Sequence, residues 1–269
     1  MQQNSFYFKK SLGQNFLKDD NIIHKIVSSA NINKDTLVIE IGPGSGAITK
    51  ELVPLCGHLL LYEADYRLEN NLYSLLKDYD NYSLNIGDFL KTNISKDIVN
   101  YSNYNIYVVA NLPYYITTPI IMKFIDENVF PDKFIVMVQK EVAIRLSAEV
   151  GSKDYGALTV FLNYFYDIDK LFDVSRNCFV PKPNVDSAVV CMNLKHNRLP
   201  VEDFSLFKKL VRDCFSMKRK TLKNNLKGYN LCVIQKVLEK YDYDLSVRAE
   251  QLSLIVFVDI SNALSREEK

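Results

Sequence analysis

The chain has 269 residues, 48% of them hydrophobic, which is enough for one large domain or a medium domain with a small companion and too apolar for a disordered chain. Lysine and arginine total 33 against 32 acidic residues, so the net charge of +1 excludes a globally polycationic binder, and any basic surface must come from local placement. Five cysteines without a Cys-x-x-Cys pair, three scattered histidines, no signal-like apolar stretch at the amino end and no apolar run near the ~20 residues of a membrane helix together predict a soluble cytoplasmic protein without disulfides, metal or membrane span.

Gly13-Gln14-Asn15-Phe16-Leu17 precedes a predicted helix, with Asp20 or Asn21 as its cap and Ile22, Ile23, Ile26 and Val27 at helical spacing. Residues 37–41 form a short, branched, apolar run that reads as a buried parallel strand, followed at once by Gly42-Pro43-Gly44-Ser45-Gly46 and an amphipathic helix through Ile48 and Leu52. Strand, glycine turn and helix are the first unit of a nucleotide-binding sheet, because glycines let the backbone approach a ligand where a Cβ would collide. The spacing differs from the dinucleotide fingerprint, so a tight turn without ligand stays open at this point. The second strand, 59–62, ends in Glu63, about 20 residues after Gly42, where a carboxylate accepts from ribose hydroxyls. A third strand, 84–86, leads to Asp88, which can accept from an adenine amine or cap a helix.

The fourth strand, 106–110, delivers Asn111-Leu112-Pro113-Tyr114 to its carboxyl end, where open α/β sheets bind their ligands. The Asn111 side-chain carbonyl and the Leu112 main-chain carbonyl, aimed by Pro113, can grip one exocyclic NH2. Tyr114 offers a face on which a base stacks, worth about 1–3 kcal/mol. The same four residues also suit an ordinary strand-to-helix turn. Residues 134–138 read as a fifth strand. Lys140, Arg145 and Lys153 beyond it are either phosphate contacts or a solvated charged face.

Residues 155–165 predict a helix, and 171–174 and 188–194 the last two strands. The polar break Asn197-Arg198-Leu199-Pro200 sets a domain boundary, giving domains 1–197 and 198–269. Past it, Phe204, Phe207, Leu210, Val211, Cys214 and Phe215 repeat at helical spacing. Among them and just after come Lys208, Lys209, Arg212, Lys218, Arg219, Lys220, Lys223 and Lys227, opposed only by Asp213. Such a patch suits phosphate tracking with salt-dependent affinity, although solvated helix faces are also lysine-rich. Leu254-Ile255-Val256-Phe257-Val258 has strand composition, but the apolar positions that continue through Ile260, Ala263 and Leu264 favour a helix.

Several motifs occur in an order that resembles the small-subunit ribosomal RNA adenine N6,N6-dimethyltransferases, whose relatives include the macrolide-resistance methyltransferases of large-subunit RNA. They are Gly13–Leu17, Glu40-Ile41-Gly42-Pro43-Gly44, Asn111–Tyr114, Gln139-Lys140-Glu141-Val142, and Phe179-Val180-Pro181-Lys182-Pro183 leading into Val185-Asp186-Ser187-Ala188. The resemblance covers nearly the whole chain. It implies a Rossmann-like S-adenosyl-methionine methyltransferase domain, α/β with a seven-stranded, mostly parallel sheet whose last strand is antiparallel, and a small C-terminal α-helical domain that binds RNA. It implies that Asn15, Leu17, Gly42, Gly44, Glu63, Asp88 and Asn111 line the S-adenosyl-methionine pocket. Asn111 through Tyr114 would hold the target adenine, with Phe179 as the second aromatic wall; a core Phe before a proline-rich turn is the other reading of Phe179. Lys218, Arg219, Lys220 and Lys223 fall on the family's second-domain motif and its basic continuation.

Residues 112–119 resemble the small-subunit branch more than the resistance branch, and Tyr115 stands where Asn is common in both. The implied substrate is small-subunit ribosomal RNA within a pre-assembled particle, acted on by a monomer. Two other readings remain at this level. One is a large-subunit resistance enzyme, and the other is an assembly checkpoint that binds the immature subunit without transferring methyl groups.

Overall fold

The computed structural model describes residues 14–267, so Gly13 of the first motif lies outside the described residues. The apolar runs pair as β2 (Thr36–Ile41), β3 (His58–Glu63), β4 (Tyr82–Ile86), β5 (Asn105–Asn111), β6 (Lys133–Gln139), β7 (Tyr166–Val174) and β9 (Ser187–Leu194). They form one sheet in the order β4-β3-β2-β5-β6-β9-β7. Parallel pairing joins β2 to β3 and β5, β3 to β4, and β5 to β6, while β9 runs antiparallel to β6. Every residue of β2 is buried, as expected for a parallel strand covered on both faces. The chain builds outward from β2 through β3 to β4, then returns to place β5 on the other side of β2. The gap between β2 and β5 is therefore a topological switch point, with a crevice at the carboxyl ends of the strands.

The connections are α1 (Asp20–Ala30), α2 (Thr49–Leu52), α3 (Glu69–Leu76), α4 (Ile94–Asp97), α5 (Thr117–Asp126) and α6 (Lys140–Leu146). α1 buries Ile23, Ile26, Val27 and Ala30, the face its spacing predicts. Its cap is Asp19 in place of the expected Asp20 or Asn21, and the Asp19 carboxylate accepts from the Asn21 and Ile22 amides. A second, two-stranded sheet pairs β1 (Phe16–Leu17) with β8 (Phe179–Val180), antiparallel, in the register Phe16 to Val180 and Leu17 to Phe179. Two-residue strands carry no periodicity, so this ribbon is not legible in either segment alone.

The helices α7 (Ala157–Phe165), α8 (Phe204–Cys214), α9 (Leu222–Asn225), α10 (Leu231–Glu239) and α11 (Leu254–Glu267) complete the chain. The chain divides into two compact units: residues through Ala143 with Asp169–Leu194, and Ile144–Ile168 with the chain from Lys195 onward. The division thus differs from a single cut at 197/198, since α7 belongs with the C-terminal helices. The cause is aromatic packing: Phe161, Tyr164 and Phe165 meet Phe204 and Phe207 with ring centroids 5.3–5.7 Å apart. The same burial decides the ambiguous segment after Ser253, where Val256, Phe257, Ile260 and Leu264 form the inner face of α11.

Candidate active site at the switch point

At the carboxyl ends of β2, β3, β4 and β5 lies a cavity of about 340 Å³, within the size range of small-molecule sites. Asn15, Leu17, Gly42, Gly44, Glu63, Asp88, Asn111, Leu112, Pro113 and Tyr114 all line it. Five separate sequence segments are thereby brought to one place.

The turn after β2 holds Gly42 at φ +73° and Gly44 at φ +60°, left-handed backbone that a side chain disfavours. A Cβ on Gly44 would also fall 2.7 Å from the Phe16 ring, so this glycine admits the β1 segment to the cavity wall. The Gly44 amide donates to Glu63 Oε2 at 2.9 Å, and the Asp65 amide donates to Oε1 at 2.8 Å. Glu63 is 5% exposed, and burial pushes its carboxyl above the ordinary value even though these two amides pull it down. The Ala64 amide also bonds this carboxylate, so three backbone amides face its two oxygens and acceptor capacity is left for a ligand hydroxyl. Asp88 lines the cavity, and its Oδ1 accepts from the Leu90 amide at 3.0 Å as a turn cap, the second of its two readings.

The tetrapeptide after β5 is anchored at each residue. Asn111 Nδ2 donates to the Asn15 carbonyl at 3.1 Å, and because only the nitrogen of an amide can donate to a carbonyl, the remaining group of that side chain is an acceptor. The Leu112 amide donates to the Met137 carbonyl at 3.1 Å, fixing that residue against β6. The Pro113 carbonyl accepts from the Ile116 amide at 3.1 Å and from Thr117 Oγ1 at 3.2 Å, which closes the turn into α5. Tyr114 is half-buried, and its hydroxyl shares a hydrogen bond of 2.5 Å with Ser187 Oγ. Burial pushes the phenol above its ordinary value, so it stays neutral in the physiological range.

Phe179 departs from expectation. Its ring is 2% exposed, packs in the apolar core and does not line the cavity. The physical reason is the β1–β8 ribbon, which sets Phe179 opposite Leu17 and turns it to structural use. The aromatic that lies open at the cavity wall is Tyr115, 57% exposed.

Sequence reasoning gave no role to Glu40. This residue is 2% exposed and lines the cavity, and its Oε2 accepts from Thr49 Oγ1 at 2.7 Å. Burial pushes its carboxyl up to about 8, against the pull of the Thr49 hydroxyl, and nearby Glu63 adds to the rise. The available signal was a lone acid inside the apolar run Leu37–Ile41.

The basic residues fall into two kinds. Lys140 Nζ is 2.8 Å from Asp173, which also binds Lys170 at 3.1 Å, so this cation is already paired. Arg145, Lys153, Lys218, Arg219, Lys220 and Lys223 are exposed and belong to the helical unit. Asp213, the acid of that stretch, is taken by Lys209 at 3.0 Å and the Tyr229 hydroxyl at 2.7 Å, with Arg212 at 3.7 Å.

A mostly parallel seven-stranded sheet with an antiparallel β9, together with a glycine-turned cavity facing a buried carboxylate, defines the class of Rossmann-like methyltransferases. The family profile described as Ribosomal RNA adenine dimethylase matches residues 5–265. Ribosomal RNA small subunit methyltransferase A of Streptococcus pneumoniae is 43% identical over 98% of this chain and 94% of its own length. Among solved structures, a dimethyladenosine transferase from Plasmodium falciparum superposes with a TM-score of 0.80 at 28% identity, covering 94% of this chain and 98% of that one. The 23S rRNA methyltransferase ErmE shares the fold at a TM-score of 0.74 and 23% identity, covering 93% and 100%. The chain belongs to the ribosomal RNA adenine dimethylase family.

Proposed function

We propose that this protein uses S-adenosyl-methionine to dimethylate N6 of adenines in small-subunit ribosomal RNA, at two adjacent positions in the 3′-terminal loop, as a step in subunit maturation. The observation that carries the reading is the Asn111 amide, whose nitrogen is held by Asn15 on the cavity wall so that the side chain presents an acceptor there. Identity of 43% to small-subunit relatives over nearly the full chain supports this branch of the family.

The cavity fits the cofactor. Glu63 is a buried acceptor suited to ribose hydroxyls, Asp88 is an acceptor suited to an adenine amine, and Gly42 and Gly44 leave the floor without side chains. When bound, S-adenosyl-methionine supplies an electrophilic methyl group on a sulfonium. The chain's own residues do the rest. Asn111 Oδ1 and the Leu112 carbonyl hold the adenine amine so that its lone pair, otherwise delocalised into the ring, is aligned for in-line attack. Their dipoles stabilise the positive charge that develops on nitrogen. Tyr114 stacks on the extruded base and offsets the few kcal/mol of unstacking. Exposed cations of the helical unit, Arg145, Lys153, Lys218, Arg219, Lys220 and Lys223, track phosphates.

On this reading the protein acts as a monomer in the cytoplasm on a pre-assembled small-subunit particle. Among the described residues no helix is long and apolar enough to cross a membrane. The test is mass spectrometry and primer extension on ribosomal RNA from cells with and without the protein. Dimethyladenosine at two adjacent small-subunit positions that vanishes with the protein is the expected result. Modification confined to large-subunit RNA would assign the resistance branch, and particle binding without any modification would leave only an assembly role.

A further inference from the structure

One motif of the sequence, Val185-Asp186-Ser187-Ala188, has no part in the reading above, yet it touches the clamp. Ser187 is fully buried and opens β9, where its register partner is Gln139 at the end of β6. Its hydroxyl lies 2.5 Å from the Tyr114 hydroxyl, a contact between positions 73 residues apart. The preceding residue is fixed as well. The Asp186 carbonyl accepts from the Lys140 amide at 3.0 Å, and its carboxylate accepts from the Arg176 amide at 3.1 Å and from Arg176 Nε at 2.9 Å. Ser187 is thus a rigid post set in the sheet, and Tyr114 is tied to it.

We propose that Ser187 is a positioning residue for methyl transfer, holding the Tyr114 ring at the angle on which the target base stacks. This rests on the clamp reading and deepens it. A tyrosine on the short turn Pro113–Ile116 has two rotatable side-chain torsions, and Phe179 is too buried to oppose it from the other side of a base. The hydroxyl is then the means by which the sheet sets the ring plane. A neutral phenol, which burial favours here, keeps this hydrogen bond without placing an anion beside the cavity. Since the methyl acceptor must be aligned to well under 1 Å, a loosened plate lowers turnover more than it lowers binding.

The test compares Ser187→Ala, Tyr114→Phe and the double variant in the full-length protein, with unmodified small-subunit particles as the methyl acceptor. Ser187→Ala is expected to lower kcat about tenfold with the KM for S-adenosyl-methionine within about twofold of wild type. Tyr114→Phe, which keeps the ring and loses the same bond, should fall by a similar factor. The double variant should fall no further than the worse single, because one interaction has been removed twice. Unchanged kcat in Ser187→Ala, a loss of melting temperature without a loss of kcat, or losses that multiply in the double variant would each overturn the proposal. If Ser187→Ala does not fold, Tyr114→Phe alone decides, and wild-type turnover in it overturns the proposal. An inactive wild type on small-subunit particles would instead count against the proposed function, a distinct result.

Discussion

The cavity at the switch point and the basic stretch of the helical unit handle charge in opposite ways. In the cavity Glu40 and Glu63 are removed from water, and each is held by a neutral donor, a threonine hydroxyl or backbone amides. In the helical unit Lys218, Arg219, Lys220 and Lys223 stand in solvent, and the neighbouring acid is occupied elsewhere. The difference teaches where selectivity and affinity come from. A buried, pre-oriented acceptor discriminates one ligand group by geometry, whereas exposed cations attract any polyanion and respond to salt.

The largest expected effect is at the clamp. Asn111→Ala should lower methyl transfer by about 100-fold or more while RNA affinity stays near wild type, as measured by single-turnover transfer at saturating cofactor beside equilibrium RNA binding. Unchanged turnover would remove the amide from the mechanism. Next is charge reversal at Lys218, Arg219 and Lys220 together, expected to weaken RNA binding at least about tenfold. It should also flatten the slope of log affinity against log salt by about 2, with cofactor affinity unaffected. A preserved slope would make this stretch a solvated face only.

A smaller effect concerns the buried acid. Glu40 rises from 4.5 to about 8 on folding because burial disfavours its charged form. Its folded pKa exceeds its unfolded one, so the protonated carboxyl's contribution to stability is full below about 4.5 and is lost as pH rises through about 8. The melting temperature of wild type relative to Glu40→Gln should therefore decline from pH 6 to pH 9. A constant difference would mean that Glu40 does not titrate there. The smallest effect is Lys140→Ala, expected to change RNA affinity by less than about twofold, because that cation is already bound to Asp173. A loss as large as that from the Lys218 cluster would erase the distinction between paired and unpaired cations.

Much of the architecture was legible because its signals are local. Short branched runs at 37–41, 59–62, 106–110 and 134–138 form strands in a sheet buried on both faces, and the glycine turn and the Asn-Leu-Pro-Tyr turn fall at their carboxyl ends. The pairing of Phe16-Leu17 with Phe179-Val180 was not legible, nor was the seating of α7 among the C-terminal helices, because each is decided by a partner far along the chain.

By itself the sequence determined the strand and helix periods, the order of the motifs and the chemistry each end of a strand can offer, since these follow from residue type and spacing. Only the tertiary structure decided that Phe179 is core, that Glu40 is a buried acid at the cavity wall whose carboxyl burial pushes up, that Lys140 is already paired and that Ser187 meets the Tyr114 hydroxyl. Burial and hydrogen-bond partnership depend on what the fold brings together across long separations, and a residue's own neighbours in sequence carry no record of that.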